Sequence, residues 1–208
     1  MKLREQGASV AAPGGFELWA RQWMDQADYE GPHLTAPSRR INQVLELYDS
    51  PVPGRWKRSV DVQLLKGRYR RGDAASPHSG EHLIEHEILN NLEAVRCLEG
   101  RIIDGINAMP LSRDETGGRR SNVEADLLLL VERAGNYSLV VCEVKDAANN
   151  CWYAAIENLR QLKLIHLSAY ARRLFHLRAP QLSLPDNIPI IGLVVAPEQY
   201  CNQPTGPI

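Results

Sequence analysis

Two apolar runs lie close together in the middle of the chain. Leu127-Leu128-Leu129-Leu130 follows Glu124-Ala125-Asp126, and Leu139-Val140-Val141-Cys142 precedes Glu143-Val144-Lys145-Asp146. Ala134-Gly135-Asn136 separates them. Short Leu- and Val-rich runs bounded by Gly and Asn predict two core strands joined as a hairpin. Alternation along the second strand puts Glu143 and Lys145 on one face, with Cys142 and Val144 on the other.

The flanks add helices and one more strand. Leu83, Ile84, Ile88, Leu89, Leu92 and Val95 predict an amphipathic helix before the hairpin, with Glu81 and Glu85 at the edge of its apolar stripe. Arg101-Ile102-Ile103-Asp104 predicts a brief strand, and 111–121, with Gly117-Gly118-Arg119-Arg120, a polar loop. After the hairpin, Trp152, Ile156, Leu159, Leu162 and Leu167 predict one long helix over 150–175, ending before Pro180. The run Ile188–Val195 predicts a strand buried on both faces.

Upstream of these elements the pattern changes. Phe16, Leu18, Trp19, Trp23 and Met24 predict a short helix; Ile41, Val44, Leu45, Leu47 and Tyr48 predict a second, capped by Ser38 and ended by Pro51. Residues 55–71 then carry Arg55, Lys57, Arg58, Lys66, Arg68, Arg70 and Arg71 against the single acid Asp61. Such a cationic stretch suits contact with phosphate or is a solvated surface. Residues 72–80 read as a linker. Two units follow: a helical and basic extension over 1–79 and a core over 80–208.

Composition narrows the class. The 208 residues are 44% hydrophobic and 24% charged, with a formal net charge of -1, so any polyanion contact is local to the basic stretches. The four cysteines lack CxxC spacing and the density of a disulfide scaffold. No stretch has the apolar length of a signal peptide or membrane span, and a cytoplasmic protein without membrane contact is expected.

The candidate chemistry lies in the charges that interrupt the hairpin. If Asp126 lies across from Glu143, two carboxylates and the Lys145 ammonium share the end of an apolar sheet, where unpaired charge is costly. Such a site calls for a divalent cation. A rival signal is His82-Leu83-Ile84-Glu85-His86, which matches H-x-x-E-H, a zinc-peptidase pattern with two histidines one turn apart and a glutamate that activates water.

Asp126 at the start of one strand, Glu143-Val144-Lys145 near the end of the next and Glu85 in the preceding helix resemble the PD-(D/E)xK nuclease superfamily over roughly residues 80–196. Ala125 stands where the name has proline. Gln161 is followed by Ile165 rather than by the tyrosine of RecB-like members, and the branch, RecB-like or resolvase-like, stays open. The resemblance implies an α/β, restriction-endonuclease-like fold: an αβββαβ core with a mixed central sheet flanked by helices. It also implies Mg²⁺ or Mn²⁺ on Asp126, Glu143, the Val144 carbonyl and Glu85, with Lys145 and Gln161 assisting. Nucleic acid, DNA before RNA, is then the expected substrate, contacted by Lys57, Arg58, Lys66, Arg68, Arg70, Arg71, Arg119 and Arg120. A nuclease-like module that only binds nucleic acid is the remaining alternative. A homodimer suits the cutting of two strands, and a further domain or partner protein is compatible with this reading.

Overall fold

The computed structural model describes Tyr48 and residues 80–113, 122–146, 151–167 and 169–197. In chain order these form α1 (Gly80–Asn90), β1 (Arg96–Cys97), β2 (Gly100–Arg113), β3 (Asn122–Arg133), β4 (Asn136–Val144), α2 (Cys151–Leu167), α3 (Ala169–Arg178) and β5 (Ile190–Val195). The fold is mixed α/β. Among the described residues the strands make one sheet in the order β1-β2-β3-β4-β5; β1 to β4 form an antiparallel meander, and β5 lies parallel to β4 after the α2–α3 crossover.

The central hairpin forms where the apolar runs predict it. Arg133 pairs with Asn136, so Ala134 and Gly135 make a two-residue turn with φ of 50° and 79°. Such turns need positive φ at both central positions, which glycine adopts without steric cost. Along the strands, Leu128, Leu130, Leu139 and Val141 pack with Leu164, Ile165, Leu174 and Phe175 from α2 and α3. The alternate residues Leu127, Leu129, Val140, Cys142 and Val144 pack with Leu89 of α1 and with Leu92. Helices thus cover both faces, which is why these strands are continuously apolar rather than alternating. Each fully buried leucine contributes about 1.5–3 kcal/mol.

Several elements depart from expectation. α1 ends at Asn90 instead of running on toward Val95, because the next residue, Asn91, turns back and its Nδ2 donates to the Glu87 carbonyl (3.0 Å). Its inward face is Ile84, Glu85, Ile88 and Leu89, while Leu83 is 58% exposed. Glu85 therefore belongs to the buried stripe and not to its edge. The brief strand expected at 101–104 is the start of the 14-residue β2, and the polar loop expected at 111–121 loses its first three residues to that strand, which reaches Arg113, while β3 begins at Asn122, directly after the expected loop. Register shifts between Ile102 and Asp104 and between Pro110 and Ser112, with Ala108 at φ 47°, bend β2 and hide its length in the pattern.

The expected long helix is two helices. They stand on either side of residue 168, which lies outside the described residues, and Leu164 and Ile165 of α2 join Leu174 and Phe175 of α3 in one core cluster, about three turns apart along the chain. Arg178 closes α3 onto β2, its Nε donating to Asp104 Oδ2 at 2.7 Å and its NH2 group to Oδ1 at 2.9 Å. β5 is half-buried rather than covered on both faces, because among the described residues it pairs only with β4 and is the sheet's edge. Of the 1–79 extension the described residues include Tyr48, which is helical and whose ring centroid lies 5.0 Å from Lys163 Nζ on α2. The remainder of that extension, including the whole 55–71 basic stretch, lies outside the described residues. Among the described residues no helix is long and apolar enough to cross a membrane.

Candidate functional site

Strands β3 and β4 part at one end, and the charges collect where they do. Their ladder closes at Leu127 and Cys142, although β3 begins at Asn122 and β4 runs to Val144. The next opposed pair would be Asp126 and Glu143. Instead of a main-chain partner, the Val144 N–H finds Asp126 Oδ2 at 2.7 Å, so the aspartate side chain closes the fork. On its other side Lys145 N–H donates to the Val195 carbonyl at 2.8 Å, which fixes the end of β4 against β5.

The second helix fills the fork. Gln161, 1% exposed, donates through Nε2 to the Glu124 carbonyl at 3.0 Å and to Glu143 Oε2 at 2.5 Å. Asn158, one turn earlier, donates to the Val141 carbonyl at 2.9 Å and so fixes α2 on β4. Glu143 is 2% exposed, and its other oxygen accepts from the Lys145 ammonium, as same-face alternation predicts. Lys145 Nζ also reaches Glu157 Oε2 at 3.2 Å and Glu81 Oε1 at 3.6 Å. Glu81 comes from α1, whose first residue is pressed on the strand end: a Cβ at Gly80 would stand 2.0 Å from Asp146 Oδ2. A carboxylate beside a helix N-terminus is favourable there.

Electrostatics follow from this crowding. Burial raises the Asp126 carboxyl to about 6; the Val144 amide and Lys145 oppose the rise, while Glu85 and Glu157 add to it. Glu143 is raised far above the carboxylate range, first by burial, then by the Glu157 carboxyl that hydrogen-bonds to it and by Asp126. Lys145 moves the other way from a buried amine, because Glu143, Glu157 and Glu81 outweigh its desolvation and hold it protonated. Four carboxylates, from Glu81, Asp126, Glu143 and Glu157, thus share the field of this ammonium.

Asp126, Glu143, Lys145 and Gln161 meet as the sequence suggests. Glu85 takes a different direction. Although only 1% exposed and close enough for its charge to act on Asp126, it accepts from His82 Nδ1 at 2.9 Å and from Asn107 Nδ2 at 3.3 Å. In the H-x-x-E-H segment, then, the glutamate bonds to the first histidine. Among the described residues no three His, Cys, Asp or Glu side chains form a group poised to hold a metal ion; Asp126 Oδ2 and both carboxylate oxygens of Glu143 instead accept from protein donors. Arg119, Arg120 and the basic residues between Lys57 and Arg71 lie outside the described residues. Sequence reasoning did not place Glu157 with Glu143 and Lys145. The available signal was spacing, because Glu157 and Gln161 are four apart and share a helix face.

No protein-family model, no curated protein and no solved structure matches the chain.

Proposed function

We propose that the chain is a Mg²⁺- or Mn²⁺-dependent nuclease of PD-(D/E)xK type with a restriction-endonuclease-like core, hydrolysing phosphodiester bonds of nucleic acid and of DNA in the first place. The observation that carries this reading is the meeting, at the β3–β4 fork, of Asp126, Glu143 and Lys145 with Gln161 of the following helix. The element order supports it as well: a helix, a three-strand meander, a helical crossover and a parallel strand follow one another as that core would have them, with β1 added.

The donor set fits a hard cation. Asp126, Glu143 and the Val144 carbonyl are oxygen donors of the kind Mg²⁺ and Mn²⁺ prefer. Crowded, partly desolvated carboxylates gain when a cation joins them. Such a cation would lower the pKa of a bound water and offset charge on the scissile phosphate. The chain's own groups do the rest. Val144 N–H orients Asp126, Gln161 orients Glu143, and Lys145 supplies a fixed positive charge for the phosphate or the attacking water. Glu85 acts on Asp126 through its charge, while its own carboxylate accepts from His82 and Asn107.

The experiment is incubation of the purified protein with single-stranded, double-stranded and branched DNA and with RNA, in Mg²⁺, Mn²⁺ or EDTA. Cleavage that needs metal and falls at least about 100-fold in Asp126→Ala and in Lys145→Ala is the expected result. Cleavage unaffected by both substitutions, or none on any substrate with either metal, overturns the proposal.

A further inference from the structure

The Lys145 ammonium stands among carboxylates from three elements. It contacts Glu143 directly, Glu157 Oε2 at 3.2 Å and Glu81 Oε1 at 3.6 Å, and its side chain is 13% exposed. These three acids come from β4, α2 and α1, so the ammonium cross-links strand and helices at the fork between β3 and β4. Glu143 offers it one oxygen while Gln161 holds the other, which leaves neither oxygen idle.

Resting on the metal-dependent reading above, we propose that Lys145 is a built-in competitor for the divalent cation. It is the counter-ion that keeps the carboxylate pocket together without metal, and it must leave Glu143 for the metal to bind, passing to Glu157 and Glu81. The two helix acids are then landing positions for the displaced ammonium, and Glu157 is a positioning residue that acts through Lys145. The argument is one of geometry and charge. A dication and an ammonium on the same carboxylate oxygen repel across a poorly solvated gap, whereas an ammonium shifted to Glu157 keeps a partner. The displaced lysine would then stand beside the metal rather than on its ligand, where a phosphate oxygen can meet it.

The test reads binding and needs no cleavage. Mn²⁺ is titrated into the metal-free full chain by calorimetry, with free Mn²⁺ followed by electron paramagnetic resonance, for the native protein, Lys145→Gln, Glu157→Gln, the double variant and Asp126→Asn. Thermal unfolding is monitored for each, and Lys145→Met replaces Lys145→Gln if the latter does not fold. Lys145→Gln is expected to bind Mn²⁺ on the order of tenfold more tightly than the native protein, as loss of one competing buried ion pair allows. Glu157→Gln is expected to bind several-fold more weakly, and this loss should vanish in the Lys145→Gln background. Equal or weaker binding by the folded Lys145 variant, Lys145→Gln or its replacement Lys145→Met, overturns the competitor role. An undiminished Glu157 effect in the double variant overturns the positioning role. Mn²⁺ binding that Asp126→Asn leaves unchanged, or no binding by any variant, overturns the metal reading itself.

Discussion

Asp126→Asn should stabilise the metal-free protein, by an amount set by pH. The asparagine Oδ1 can still accept the Val144 N–H, so the fork stays closed, and what the substitution removes is charge. The carboxyl has its folded pKa at about 6 instead of 3.8, chiefly because it is buried, with the nearby Glu85 and Glu157 adding to the rise. Well below pH 3.8 the group is protonated in both folded and unfolded chains and contributes nothing. Between 4 and 6 the unfolded chain releases the proton while the folded chain keeps it, so stability falls as pH rises. Above about 6 the loss is complete. At 1.36 kcal/mol per pH unit the full span corresponds to about 3 kcal/mol, and solvent on the open side of the site reduces this to about 1–3 kcal/mol. Urea denaturation in EDTA at pH 4, 5, 6 and 7.5 measures it. The variant should exceed the native protein by no more than about 0.5 kcal/mol at pH 4 and by the full amount at pH 7.5. Saturating Mn²⁺ should reverse the order, since ligand at 100 times Kd adds about 2.7 kcal/mol to the native protein and little to the variant. A variant equally or less stable than native at pH 7.5 in EDTA would refute the reasoning.

Two further outcomes check the frame around the site. Gly192→Ala brings a Cβ to 2.3 Å from Asn158 Oδ1 and 2.5 Å from Leu162 Cδ1, so these two side chains of α2, or the helix with them, must shift; about 1–3 kcal/mol of stability should be lost in thermal or urea unfolding, and an unchanged midpoint would show that the helix does not pack so closely. Cys97 and Cys142 are buried and their thiols are raised by burial, so a Cys151→Ser/Cys201→Ser variant should resist thiol reagents at pH 8 until it is denatured, and prompt labelling of the folded protein would contradict the core described.

What the sequence revealed and concealed has physical causes. The β3–β4 hairpin was legible because leucine and valine on both faces leave little choice of partner, and Glu143 and Lys145 were paired by strand period alone. α1 was misread because hydrophobicity ranks Leu83 above Glu85, whereas a carboxylate held by His82 and Asn107 can be buried and the leucine next to it left outside. Most of β2 escaped notice because bulges and Pro110 break its alternation. Glu157 was concealed among the polar residues of α2, where composition does not separate a solvated acid from one against an ammonium.

The hydrogen bond from Lys145 N–H to the Val195 carbonyl ties the site to the order in which the chain assembles. β3 and β4 meet through a two-residue turn, and such hairpins close within about 1–10 μs. β5 is parallel to β4 and joins only after α2 and α3 have crossed the sheet, a long-range closure that is slower than a hairpin. A growing chain that ends before Ile190 is therefore expected to bring Asp126 opposite Glu143 but to leave the main chain at Lys145 without its Val195 anchor. Maturation of the lysine's position would be among the last events of folding, after the two carboxylates already face each other.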